Sequence, residues 1–305
     1  SAVLGSRTTS VEEGADSERS IRIMDRLIQD VKYGFRQLAG SPGVASVSIL
    51  TIALGVGVNT AIFSMVNTMV LKPLPYADSS RLVNIMESRA DSPFVSVSYL
   101  NYLDWKERNR SFDQMALARG QTYSLAGSGE PVRLPGAQAS ANLFATLGIE
   151  PMLGRSFEPG DDHPGAHPVA LMSQGLWQRR FGGSHSILGQ AVTLNGLSYT
   201  VIGVLPQNFR WFLQNQQSEI WTPVGLWAGT DMLSRREKRS GMSVIARLRQ
   251  GVPIAEAEAD LKRIARSLES EYPAANTGIG VRITPLRERV VGDIRTPLMI
   301  LLGAV

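Results

Sequence analysis

From Gly43 to Leu71 the chain carries no Asp, Glu, Lys, Arg or His. Val, Ile, Leu, Ala and Met dominate the run, among them Ile49, Leu50, Ile52, Leu54, Val56, Val58, Ile62, Phe63, Met65 and Val70. At a rise of about 1.5 Å per residue, roughly 20 residues cross a hydrocarbon core of about 30 Å. The pattern therefore predicts a transmembrane helix over residues 43–71, long enough to tilt. Gly55 and Gly57 permit close approach of another helix, and Asn59 and Asn67, costly against lipid, are expected to face protein. Two other readings are a buried helix of a soluble protein and a signal peptide, whose apolar segment is usually only about 7–15 residues long. Gly55-Val56-Gly57 has a superficial likeness to a dinucleotide fingerprint, but lacks the third glycine and bridges no strand to a helix.

Residues 1–20 are polar, with Glu12, Glu13, Asp16 and Glu18, and read as a flexible tail. Over residues 21–41, Met24, Leu27, Val31, Phe35 and Leu38 recur at helical spacing, with Arg22, Arg26, Lys32 and Arg36 mainly on the other face. An apolar face with a basic rim beside a span suits a helix lying on the bilayer surface, or one packed on a partner protein. Ser41-Pro42-Gly43 is expected to end or bend it. The basic excess on this flank over Lys72–Arg89 points to a cytoplasmic N-terminus.

Lys72-Pro73-Leu74-Pro75 ends the span, and the pattern changes to strands mixed with helices. Leu82–Met86 reads as a strand, and Ser98 as the cap of a helix through Leu100, Leu103 and Trp105 to about Asn109. Val132–Leu134 reads as a strand and Asn142–Leu147 as a short helix. Val169–Met172 is strand-like, Ser173 can cap a helix over Gly175–Phe181, and Gly182-Gly183 stops it. Asn195-Gly196 between alternating segments predicts a hairpin with a type I′ turn, whose second strand ends at Pro206. Val244–Leu248 and Ile279–Ile283 read as strands around a helix marked by Ile254, Ala257, Leu261, Ile264, Ala265, Leu268 and Tyr272. This order implies a compact mixed α/β domain over residues 76–295 with a strand-rich insertion, so the chain as a whole reads as a membrane-anchored α+β protein. Residues 297–305, ending Leu298-Met299-Ile300-Leu301-Leu302, read as the start of a second span.

Chemistry is sparse. The absence of cysteine removes disulfides, thiolate metal sites and cysteine nucleophiles. Net charge is only +4, with no long block of like charge, and the densest basic stretch, Arg235, Arg236, Lys238 and Arg239, is interrupted by Glu237; nucleic acid is not an expected partner. Asp161, Asp162, His163 and His167 share a Pro/Gly-rich loop and read as a solvated turn, with a metal site as the sharper alternative. His185 reads as a surface-loop residue, and Trp105, Trp177, Trp211, Trp221 and Trp227 as core or interface anchors. No nucleophile constellation is present, so the chain reads as a non-enzyme without a cofactor or catalytic metal.

Several stretches together resemble the permease subunits of MacB-like ABC transporters, and among them the acidobacterial duplicated orphan permeases. They are Asp30-Val31-Lys32-Tyr33-Gly34-Phe35-Arg36-Gln37-Leu38, Leu50 to Ser64 around Gly55-Val56-Gly57-Val58-Asn59, Leu71-Lys72-Pro73-Leu74-Pro75-Tyr76, Ser173 to Gly183, Leu194-Asn195-Gly196 and Val201-Ile202-Gly203-Val204-Leu205-Pro206. The resemblance implies an inner-membrane protein with a cytoplasmic N-terminal helix, a first span, a periplasmic core domain and further spans. It also places residues 82–118 and 242–283 in a porter-like part, and much of residues 132–206 in an inserted part. It implies a non-catalytic subunit that works with an ABC ATPase on the cytoplasmic side, within a homodimer or pseudo-dimer, moving its periplasmic domain for export or extrusion. The alternative is a membrane-anchored periplasmic sensor or binding protein without ATPase coupling.

Overall fold

The computed structural model describes residues 42–66, 74–127, 129–211 and 217–292, with Gly34, Gly40 and Leu213 besides. It divides into two compact units, residues 1–69 with 297–305, and Val70–Thr296. The stripe of Met24, Leu27, Val31, Phe35 and Leu38, the side chain of Asn67 and the segment 297–305 lie outside the described residues.

In the first unit the described element is helix α1, Pro42–Val66. Pro42, expected to end or bend a preceding helix, is itself helical, as is Gly40 before it. Hydroxyls that would face lipid are satisfied within the helix, Ser46 Oγ donating to the Pro42 carbonyl at 2.8 Å, Thr51 Oγ1 to Val47 at 2.8 Å and Thr60 Oγ1 to Val56 at 2.7 Å. Leu50 and Leu54 are 68% and 70% exposed, on a helix that is apolar around its circumference and long enough to cross a membrane.

The second unit is built on one 11-stranded sheet in the order β11-β1-β10-β3-β4-β9-β6-β8-β5, with β2 on β1 and β7 between β3 and β8. The strands are β1 Leu82–Arg89, β2 Ser92–Val95, β3 Phe112–Gly127, β4 Gly129–Ala139, β5 Leu153–Gly154, β6 Val169–Ser173, β7 Ala191–Leu194, β8 Leu197–Leu205, β9 Ile220–Pro223, β10 Met242–Leu248 and β11 Gly280–Pro285. The helices are α2 Tyr99–Arg108, α3 Leu143–Leu147, α4 Gln174–Phe181, α5 Asp231–Ser234, α6 Ile254–Glu271 and α7 Pro273–Asn276.

Strand β3 joins two different halves. Its first part pairs with β10 from Phe112 to Arg119, and its second part pairs with β4 from Ala118 to Gly127. On the β10 side, antiparallel β11, β1 and β10 are covered by α2 and α6, burying Val83, Tyr102, Trp105, Leu117, Leu261 and Leu268 in one apolar cluster. On the β4 side, the pairing runs from β4 through β9, β6, β8 and β7 back to β3 at Leu125↔Leu194, so this half closes on itself as a small barrel. Tyr123, Leu125, Leu134, Leu194 and Tyr199 belong to its own buried cluster. A third cluster, with Phe144, Phe209, Trp211 and Trp221 packed edge to face and Phe157 tilted against Phe144, fills the opposite face between the halves.

Local signals act as expected where local chemistry suffices. Ser173 Oγ accepts the Leu176 N–H at 3.2 Å and Gly182 closes α4 at φ 62°. Asn195 and Gly196 take φ values of 51° and 81°, as a type I′ turn requires. The reading of Ser98 as a capping side chain is corrected: it stands at the N-cap of α2, but its hydroxyl has no partner, and the Glu87 carboxylate from β1 accepts the Ser98 N–H at 3.0 Å. The helix expected through Leu100, Leu103 and Trp105 is present as α2; it buries Tyr99, Asn101, Tyr102 and Trp105 and leaves Leu103 40% exposed.

Candidate functional site

On α1, Gly55, Gly57 and Asn59 are exposed, and among the described residues nothing outside the helix's own nearby backbone comes within 4 Å of a Cβ placed at either glycine. These are the positions at which another helix can approach the backbone.

In the core domain the loop of acidic and histidine side chains does not converge. Asp161 accepts Arg155 at 2.7 and 3.1 Å and the Glu158 N–H at 2.8 Å. His163 Nδ1 lies 2.9 Å from the Pro164 carbonyl and His167 Nε2 lies 2.8 Å from Thr200 Oγ1. Among the described residues no group of three His, Asp or Glu is placed to hold a metal. Asp162 is not the solvated turn residue expected from composition. Its carboxylate accepts the Ala141 N–H at 2.8 Å and the Gly225 N–H at 2.5 Å, and burial pushes its pKa up from the ordinary value. It thereby fixes the short turn Gly225–Trp227, where a Cβ on Gly225 would fall 2.1 Å from the Asp162 carbonyl.

That turn forms one wall of a cavity of about 460 Å³ at the junction of the two halves. Arg119 and Tyr123 of β3 and Gln138 of β4 line its base, Tyr199 and Leu197 of β8 one side, and Trp227 with Met232 and Leu233 the other. The Tyr123 ring is held over Gly136, where a Cβ would come within 2.5 Å of it, and its hydroxyl is 2.7 Å from Thr222 Oγ1. Arg119 Nε donates to Gln138 Oε1 at 2.6 Å and its Nη1 lies against Met232 Sδ. Burial lowers the Arg119 pKa from its ordinary value. Asp231 is at the rim, 68% exposed and paired with Arg235 at 3.2 Å.

Of these cavity residues the sequence reading singles out Trp227 alone, as a core or interface anchor, and it does not point to Arg119, Tyr123 or Gln138. The clue is a lapse in alternation: Met115, Leu117, Tyr123 and Leu125 share one face of β3, with Arg119 and Gln121 interrupting the apolar series. The interruption marks where the two apolar clusters part.

The described residues thus comprise a helix long and apolar enough to cross a membrane and, following it in sequence, a mixed α/β domain with an open half and a closed, strand-rich half. The chain belongs to the MacB-like ABC permeases: the model of the MacB-like periplasmic core domain matches residues 45–264. Its fold is similar to that of the periplasmic region of MacB from Actinobacillus actinomycetemcomitans, at 13% identity and a TM-score of 0.50, over 72% of this chain and 94% of that one. A permease-protein domain from Porphyromonas gingivalis is similar at 16% identity and a TM-score of 0.53, over 69% of this chain and 92% of that one. No curated protein sequence matches the chain.

Proposed function

We propose that this chain is a non-enzymatic permease subunit of the inner membrane, whose periplasmic domain moves in response to an ABC ATPase docked on the cytoplasmic side, driving export or extrusion. The observation that carries this reading is a single family match that runs from the apolar helix into the core domain, residues 45–264. Remaining helices of the permease, a second copy or a pseudo-symmetric half, and the lipid bilayer are its proposed partners, with Gly55, Gly57, Asn59 and Asn67 as its helix-packing residues. The stripe of Met24, Leu27, Val31, Phe35 and Leu38 is proposed to seat the N-terminal helix on the cytoplasmic surface or on the ATPase.

The experiment is cysteine labelling in intact cells, for which the cysteine-free chain is a ready background. A cysteine at Ser184 is expected to react with a reagent that does not cross the inner membrane, and one at Ser10 to be protected. The reverse pattern overturns the topology. Co-purification of an ATPase with the full-length protein supports coupling.

The cavity favours a second reading, a membrane-anchored sensor or binding protein without ATPase coupling. Failure of any ATPase to co-purify, together with ligand binding by the core domain, supports it over the first.

A further inference from the structure

Arg119 is the unusual residue of the core domain. Its guanidinium is half-buried on the face of β3 between two apolar clusters, and its neighbours there are neutral: Gln138, Met232 and the Tyr123 ring. Three other arginines with comparable or deeper burial have charged partners or a set of carbonyls. Arg239 pairs with Glu87, Arg236 with Asp104 at 2.6 Å, and Arg247 donates to the carbonyls of Ala77, Asp78 and Thr146. No carboxylate among the described residues forms an ion pair with Arg119, and the one acidic side chain on the cavity wall, Asp231, is neutralised by Arg235. A cation partly withdrawn from water and without a counter-ion is a favourable partner for an incoming anion.

The surroundings say what kind of anion. Tyr123, Tyr199, Trp227, Leu197 and Leu233 give the cavity an aromatic and aliphatic wall, and its volume of about 460 Å³ falls within the usual range for a small-molecule site. The base is preformed: Gln138 is 1% exposed and holds the guanidinium, while Gly136 and Thr222 fix the Tyr123 ring and hydroxyl. The Trp227 indole packs beside the Tyr199 phenol and closes this side of the cavity.

We infer that the cavity at the junction of the two halves binds a small amphipathic carboxylate, with its carboxylate on the Arg119 guanidinium and its apolar body against Tyr123, Leu197 and Trp227. The inference does not depend on coupling to an ATPase. A carboxylate suits the planar fork of the guanidinium, and an aromatic or short aliphatic body suits the wall.

The test is isothermal titration calorimetry on the full chain in lipid nanodiscs, with 2-naphthoate as probe and 2-naphthamide as its uncharged counterpart. The carboxylate is expected to bind the parent at least about tenfold more tightly than the amide, the margin of one charge-assisted hydrogen bond. Arg119→Gln should erase that preference, and Arg119→Lys should retain part of it. Leu197→Trp, on the exposed rim, should weaken both probes by filling the cavity while leaving the cation in place, so a loss does not rest on one variant that disturbs the fold. No binding to the parent, equal affinity for acid and amide, or an unchanged preference in Arg119→Gln would each overturn the inference.

Discussion

Glu87 on β1 and Arg239 in the loop before β10 form an ion pair across 152 residues of chain, with the carboxylate 0% and the guanidinium 8% exposed. The same carboxylate accepts the Ser98 N–H at 3.0 Å and Asn101 Nδ2 at 2.7 Å, and Arg239 Nη2 donates to the Ala275 carbonyl at 3.1 Å. One buried carboxylate thus ties β1, the start of α2, the basic loop and the α6–α7 corner together. Arg239→Met leaves that carboxylate buried without its cation and is expected to lower stability by about 3–5 kcal/mol. The double variant Glu87→Gln with Arg239→Met should lose less than the sum of the single variants, because the groups share one network. Unfolding followed by tryptophan emission measures both; strict additivity would show that the pair is not coupled.

A second ion pair gives a pH signature. Arg108 holds Glu271 at 2.6 Å, and that bond, followed by the one from Ser267, pushes the Glu271 carboxyl from 4.5 down to about 2. Because the folded value is depressed, the contribution is fully present above the unfolded value of 4.5 and is lost as pH falls toward about 2. Both groups are solvent-accessible, so the effect on stability is small. Carbon-detected NMR titration of Glu271 should show its midpoint rising toward the ordinary carboxylate value in Arg108→Gln. An unchanged midpoint would exclude Arg108 as the cause.

The base of the cavity depends on a missing side chain. A Cβ at Gly136 would lie 2.5 Å from the Tyr123 ring and 2.7 Å from the Ile220 carbonyl. Gly136→Ala is therefore expected to destabilise the core domain by about 1–3 kcal/mol, the usual cost of overpacking. The same substitution at Gly160, which has nothing within 4 Å, should be close to neutral. Thermal unfolding of the two variants makes the comparison, and similar midpoints would refute it.

For α1 the expected outcome separates charge from polarity. Leu54→Arg places a charge near the middle of the helix and should disfavour membrane insertion by about 2.5–3.5 kcal/mol. Thr51→Val should be nearly silent, because the Thr51 hydroxyl is already bonded to the Val47 carbonyl at 2.8 Å. Glycosylation mapping of the span reads both; insertion unaffected by Leu54→Arg would argue against a lipid-facing helix.

What could be read from the sequence were features whose causes lie within a few residues. An uncharged apolar run defines α1 because lipid admits only internally bonded backbone. Asn195-Gly196 sets the β7–β8 turn through its own backbone preferences, and Ser173 caps α4 three residues away. The stripe of Ala257, Leu261, Ile264, Ala265 and Leu268 marks the buried face of α6, and each of these is buried. The family resemblance rested on the order of such local motifs.

Long strand β3 escaped that reading because its alternation is broken by Arg119 and Gln121, and β9 because Ile220–Pro223 is too short to show a period. Ser98 and Ser173 show the same limit from opposite sides. Both stand at helix N-caps, yet only Ser173 caps with its own oxygen; the Ser98 hydroxyl accepts no first-turn N–H, and it is the Ser98 N–H that is held, by a carboxylate from β1. The sequence alone therefore determined the span, the turns and the amphipathic helices, since propensity and periodicity are short-range. Tertiary structure decided that Glu87 would meet Arg239, that β7 would close the barrel against β3, and that Arg119 would face a cavity rather than a counter-ion. Those outcomes depend on which distant strands pair and which charges are carried out of water together, and no interval along the chain encodes them.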